Sequence, residues 1–188
     1  MPDLSATSTA LLVMDVQTSI VARYAPKSEA MLQTLQVVIA ASRKHGIRVI
    51  YVIVAFRPGH PEVSGANKLF GFIKQSGDLI GETVHSAVAP LAHEPVVTKR
   101  RVSAFSGSDL EVILRANRIE HLILTGIATS GVVLSTLRQA ADADYRVTVI
   151  EDCCLDGDTE VHSVLMGKVF PRQADVMAAA DFLNLAVV

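Results

Sequence analysis

A chain of 188 residues with 17 Lys and Arg against 19 Asp and Glu has a net charge of −2, which gives no field favouring nucleic acid or an anionic membrane surface. Half of its residues are apolar, enough to fill the core of a single domain over residues 1–188, and the longest apolar runs, such as Val49 to Phe56, are far too short to cross a bilayer. The start Met1-Pro2-Asp3 lacks a basic segment leading into a signal core, and the two cysteines, Cys153 and Cys154, are adjacent and unsuited to closing a loop; the expected setting is the reducing cytoplasm, with a small molecule as partner.

In chain order, the first predicted strand is Ala10–Asp15, an apolar run ending on a carboxylate. Apolar residues at three- and four-residue steps predict a helix over Glu29–His45, stopped at His45-Gly46, and the β-branched run that follows predicts a strand over Ile47–Ala55. Arg57 to His93 is the least regular stretch, broken by Pro58, Gly59, Pro61, Gly65, Gly71, Gly77 and Gly81. A connection of this length in a compact domain suits a binding loop, with a helix around Leu69–Lys74. Further strands are predicted over Pro95–Lys99, His121–Gly126, Tyr145–Ile150 and Ala174–Ala178, and helices over Asp109–Asn117, Val132–Asp142 and Thr159–Val169. Continuous apolar strands alternating with helices imply a parallel sheet covered on both faces, the α/β class.

In an open sheet of this kind the crevice lies beyond the carboxyl ends of the strands. Asp15, Arg57, Lys99, Gly126 to Gly131 and Asp152 all fall at such ends, which gathers the candidate polar groups on one edge. A carboxylate after apolar residues starts with a raised pKa that a nearby lysine would lower again, so Asp15 and Lys99 together can pass protons; either alone reads more simply as a structural ion-pair member. The stretch Thr125-Gly126-Ile127-Ala128-Thr129-Ser130-Gly131-Val132 links a strand to a helix, where converging amides and the helix dipole favour an anion.

Three segments carry a resemblance. Gly126, Thr129 and Val132 fall on the positions Gly-x-x-Thr-x-x-Cys, Asp15-Val16-Gln17 ends the first strand, and Val97-Thr98-Lys99-Arg100-Arg101-Val102-Ser103-Ala104-Phe105 contains a lysine in the expected place. The chain resembles, over nearly its whole length, the isochorismatase-like cysteine hydrolases, the superfamily of nicotinamidases, carbamoylsarcosine amidohydrolases and isochorismatases. The resemblance implies a Rossmann-like three-layer α/β/α fold with a six-stranded parallel sheet in the order 3-2-1-4-5-6. It also implies that Asp15 and Lys99 are catalytic and face the turn, that the Ile127–Ala128 peptide is cis, that Gln17, Arg57, His60, Phe105, Ile127, Ala128 and Gly131 contribute to substrate binding, and that the protein is a homo-oligomer, a dimer or tetramer. The apolar stretch Phe182 to Val188 is a candidate contact for such an assembly.

Val132 stands at the cysteine position, and a valine cannot attack, ligate or donate. Ser130, Ser135, Cys153 and Cys154 are the substitutes nearby; the serines lack an imidazole base, and the cysteines read more simply as small buried residues. Some isochorismatase-type members also lack the cysteine and hydrolyse a vinyl ether by protonation from the aspartate, followed by attack of water. No metal and no cofactor are expected, because Pro58 occupies the aspartate position of the nicotinamidase metal motif and His60 has no second histidine beside it. The expectation is a hydrolase acting on a small carbonyl or enol-ether metabolite through Asp15 and Lys99. The alternative is a catalytically inactive small-molecule-binding or regulatory homologue.

Overall fold

The computed structural model describes residues 5–185. Strands β1 (Thr9–Met14), β2 (Arg48–Val54), β3 (Val96–Lys99), β4 (His121–Ile127), β5 (Arg146–Leu155) and β6 (Asp175–Met177) form one sheet in the order β3-β2-β1-β4-β5-β6, every pairing parallel. This is the α/β architecture expected from the alternation of strands and helices, with the strand order 3-2-1-4-5-6 that the resemblance implies.

Helices α1 (Thr18–Arg23), α2 (Ser28–Lys44), α3 (Lys68–Ser76), α4 (Leu110–Ala116), α5 (Leu134–Asp142), α6 (Thr159–Val164) and α7 (Ala179–Leu185) complete the fold. The two-residue period of a strand sends Leu11, Val13, Val49, Tyr51 and Ile123 to one face, where they meet Leu35 and Val38 of α2 and Phe182 of α7. Ala10, Leu12, Met14, Leu122 and Leu124 go to the other, against Leu110 and Leu114 of α4 and Leu137 and Ala140 of α5. Both faces of β1 and β4 are covered, so these strands need no polar alternation. Each large apolar side chain buried in this way contributes about 1.5–3 kcal/mol relative to exposure, an upper bound because the unfolded chain already hides some of that surface.

Helix ends follow local chemistry. The Asn67 side chain accepts from the Phe70 amide at 3.0 Å to start α3, and Gly77, at φ 73°, lets the chain leave it. The Asp158 carboxylate accepts from the Glu160 and Val161 amides to start α6.

Five expectations need correction. Strand β5 continues past Ile150 to Leu155, because the register shifts between Leu124, paired with Val149, and Gly126, paired with Cys154. The helix predicted from Val132 begins at Leu134, behind a π-helical turn over Thr129–Val133, and α6 gives way to a second π turn over Leu165–Val169. The short helices α1 and α7 fall where no helix was predicted. Phe182, expected at a subunit contact, is fully buried in this chain's own core against α2; residues 186–188 of that stretch lie outside those described.

Candidate functional site

Neighbouring β1 and β4 are the point where the strand order reverses, and the crevice beyond their carboxyl ends is the fold's natural binding position. Asp15 follows β1 directly, at φ 54°, and its amide donates to the Val52 carbonyl at 2.8 Å, so the backbone turns while still tied to β2. Lys99, the last residue of β3, sends its side chain across the end of β2 to the Asp15 carboxylate, with Nζ 2.9 Å from Oδ2 and 3.0 Å from the Arg101 carbonyl oxygen. The two side chains are only 8% and 2% exposed. Asp15 Oδ1 is buried with no hydrogen-bond partner among the described residues. Burial raises the Asp15 pKa above the ordinary carboxylate value, and Lys99 opposes the shift without reversing it.

The strand-to-helix turn is held from several sides. Gly126, at φ 138°, lies so close to β1 that a Cβ there would overlap the Met14 carbonyl oxygen. The Ile127–Ala128 peptide is cis. The Gly131 and Val133 amides donate to the Ala128 carbonyl, the Ser130 amide donates to Asp156 Oδ2 at 2.7 Å, and Thr129 Oγ1 lies 2.8 Å from His162 Nδ1. Burial would raise the Asp156 pKa, but hydrogen bonds from Ser130, Asp158 and Gly157 outweigh it and hold the carboxyl below its ordinary value. Asp156 is therefore an ionised clamp on the turn.

A cavity of about 210 Å³ opens at these strand ends, with Asp15, Lys99 and Val132 in its wall. Ile127, Ala128 and Gly131 line it as well; most of the remaining wall is apolar, from Ile20, Val54, Leu69, Phe70, Ile73, Leu79 and Val102, with Arg23 and Tyr24 as added polar groups. A larger cavity, about 520 Å³, lies at the opposite end of β2 beside Arg43, Arg48 and His93. None of the strand-end groups reaches it, and the Arg43 guanidinium there is already held by both oxygens of Glu94 at 2.8 Å.

Four residues expected to touch substrate have other occupations. Gln17 is fully buried and clamps β2: its Oε1 accepts from the Val54 amide at 2.7 Å, and its Nε2 donates to the Val54 carbonyl at 3.0 Å. Arg57 pairs with Glu62 and does not line the cavity. His60 is buried against Phe56, ring centroids 5.2 Å apart, with Nε2 2.8 Å from the Asp78 carbonyl oxygen. Phe105 packs beside Tyr145 on the α4–α5 side of the core. Asp152, also at a predicted strand end, accepts from the Ala179 amide at 2.8 Å; the bulge in β5 moves the strand end, and its carboxylate, to Asp156.

Arg100 and Arg101 are both tied into the fold. Arg100 donates to the Ala55 carbonyl and Arg101 to the Glu62 carbonyl, which ties the end of β3 to β2 and to the loop after it. Cys153 and Cys154 are buried thiols away from the cavity; burial pushes Cys153 far up and Cys154 up to about 12, so neither supplies a thiolate. Among the described residues no three His, Cys, Asp or Glu side chains are grouped to hold a metal ion, and no helix is long and apolar enough to cross a membrane.

No sequence motif marks Arg23, Tyr24, Asp156 or His162. For Asp156 a cue was available: a carboxylate before Gly157-Asp158-Thr159 sits at a helix start, where strand-end groups collect.

A family model described as the isochorismatase domain matches residues 9–181. The chain is 30% identical over 207 aligned positions to a ureidoacrylate amidohydrolase of Acinetobacter baylyi, covering 96% of this chain and 84% of that protein. It is 35% identical over 88 residues to an uncharacterised isochorismatase family protein of Escherichia coli, where the match spans 47% of each chain, about half of that relative. An isochorismatase family protein from Burkholderia thailandensis has the same fold, with a TM-score of 0.86, 26% identity and full coverage of both chains.

Proposed function

The chain belongs to the isochorismatase family, and from that premise we propose that it is a hydrolase of a small carbonyl or enol-ether metabolite, in which Asp15 and Lys99 form the acid/base pair and Val132 replaces the family's cysteine nucleophile. The observation that carries this reading is the Asp15 carboxyl itself. One oxygen is held by Lys99, the other is buried without a partner beside an apolar cavity, and burial keeps the pKa raised. A carboxyl in that state can retain a proton and give it up to a substrate atom.

With an enol ether the steps balance without a covalent intermediate. Asp15 donates its proton to the terminal carbon of the double bond, and the ether oxygen's lone pair forms the oxocarbenium. Water adds to the cationic carbon, its proton returns to Asp15, and the resulting hemiketal splits into an alcohol and a carbonyl compound. Lys99 holds Oδ2, and the bare, buried Oδ1 is what favours the protonated form of the carboxyl. Val132 is 2% exposed and adds only apolar surface.

That same valine favours a second reading, a binding protein of this family without turnover, and one experiment separates the two. The purified protein and its Asp15→Asn variant are assayed against isochorismate, ureidoacrylate, simple esters and simple amides. The hydrolase reading expects turnover of a substrate by the parent, a loss of about 10²–10⁴-fold in Asp15→Asn, and a rate that declines as pH rises through the Asp15 pKa, because the proton to be donated is then lost. Unchanged turnover in a folded Asp15→Asn variant removes the mechanism. Absence of turnover in the parent across the panel leaves the binding reading.

A further inference from the structure

The larger cavity, about 520 Å³, sits at the end of β2 away from Asp15 and has the size of a site for a small organic molecule. Strand β2 runs from Arg48 in its wall to Val54 in the wall of the strand-end cavity, a span of about 20 Å at the rise of a strand, so the two cavities are separate. The ionisable groups in the wall of the larger one are Arg43, Arg48, His93 and one carboxyl, Glu94. We propose that this cavity is a second ligand site, for a small organic phosphate whose anionic head meets Arg43, Arg48 and His93 and whose apolar body rests on Ile47, Val49 and Leu91.

Three observations support it. Arg43 is fixed before any ligand arrives: the two oxygens of Glu94 accept from its Nε and Nη2 at 2.8 Å, and Nη2 also lies 3.1 Å from the Tyr51 hydroxyl and 3.3 Å from the Ala89 carbonyl oxygen. That edge of the guanidinium is taken, whereas Nη1 has no partner among the described residues and keeps two N–H groups. The positive charge in the wall also exceeds the negative. Burial would raise the Glu94 pKa, but hydrogen bonds from Arg43 and the Leu91 amide and the charges of Arg43 and His93 hold it below its ordinary value, so Glu94 is ionised and cancels Arg43. Arg48 and His93 are both exposed and have no ion-pair partner among the described residues. Three donor side chains suit the three terminal oxygens of a phosphate better than the two of a carboxylate. Helix α2 ends its negative pole beside this cavity, but its Ala41, Ser42 and Arg43 carbonyls already accept from the His45, Ile47 and Gly46 amides, which limits the repulsion. Finally, Leu91 lines the cavity and is 45% exposed, apolar surface that the body of a ligand would take out of water.

The test is an amide NMR titration at about pH 7.5, where a phosphate monoester is mainly dianionic, with phenyl phosphate, inorganic phosphate and the neutral benzyl alcohol as probes. Phenyl phosphate should give saturable shifts at the amides of Gly46, Ile47, Arg48, Leu91 and His93. It should bind at least about tenfold more tightly than either of the other two probes. Arg48→Gln, a change at an exposed position, should weaken phenyl phosphate by about fivefold and leave benzyl alcohol unchanged. His93→Gln should weaken phenyl phosphate as well and carries the same prediction if Arg48→Gln fails to fold. Shifts centred on Ala128 and Gly131 at the strand-end cavity, or no saturable shifts at all, would overturn the assignment. So would an affinity no greater than that of inorganic phosphate or of benzyl alcohol, or one unchanged in folded Arg48→Gln or, failing that variant, in His93→Gln.

Discussion

The two oxygens of Asp15 have unequal surroundings, and the inequality sets what the carboxyl can do. Oδ2 shares a hydrogen bond and a charge with Lys99, while Oδ1 is buried with no hydrogen-bond partner among the described residues. A fully ionised carboxylate would carry the desolvation cost of that bare oxygen; a proton on it relieves the cost. The opposite case occurs at His121, where burial, assisted by Arg146 and opposed by Asp175, lowers the pKa to about 4, and the ring is 1% exposed with Nε2 2.9 Å from Thr148 Oγ1 and Nδ1 unpartnered. The folded state holds His121 neutral, so the unfolded chain binds the extra proton below its own value of 6.5, and stability that is complete above that pH is lost as pH falls towards about 4. Between pH 7.5 and 5 this group alone should remove about 2 kcal/mol. Urea unfolding of the protein and of His121→Leu at the two pH values checks it: the variant should lose that much less stability on acidification, and identical losses would exclude His121 as the cause.

The end of β4 and the turn that follows it supply Ile127, Ala128, Gly131 and Val132 to the cavity wall. Gly126 at φ 138° with no room for a Cβ beside the Met14 carbonyl is what lets β4 press against β1 at the point where Asp15 leaves the sheet. Gly126→Ala imposes both a disfavoured backbone angle and a collision with backbone that cannot swing away, and should cost on the order of 3 kcal/mol. A denaturation midpoint matching that of the parent, with an unchanged slope, would contradict this. The glycine and the strand-to-helix transition were legible in sequence because both are local. The π turn over Thr129–Val133 and the added length of β5 were not, since each depends on partners distant in the chain: Asp156 on the Ser130 amide, and Gly126 opposite Cys154 after the register shift. The partners of Gln17 and Arg57, Val54 and Glu62, were hidden for the same reason, since no periodicity reveals them.

For the molecule as a whole, hydrophobic periodicity is sufficient to order the layers, because runs such as Leu11 to Met14 and Leu122 to Leu124 are buried on both faces and can belong only to central strands. The same order brings Asp15 from β1 and Lys99 from β3 to one edge, a pairing that strand ends alone suggested. The contact of α1 with the loop containing Asp78 was not legible, because the isolated bridges Gln17 with Val84 and Phe56 with Ile80 that anchor that connection have no local signature. This architecture buries Asp15 deeply enough to raise its pKa despite Lys99. Carbon-detected NMR titration of protein labelled at the aspartate carboxyls, with the Asp15 resonance identified by its loss in Asp15→Asn, measures that directly: the midpoint should lie above the ordinary aspartate value of 3.8, and a midpoint at or below it would mean that Lys99 prevails, leaving Asp15 without a proton to donate.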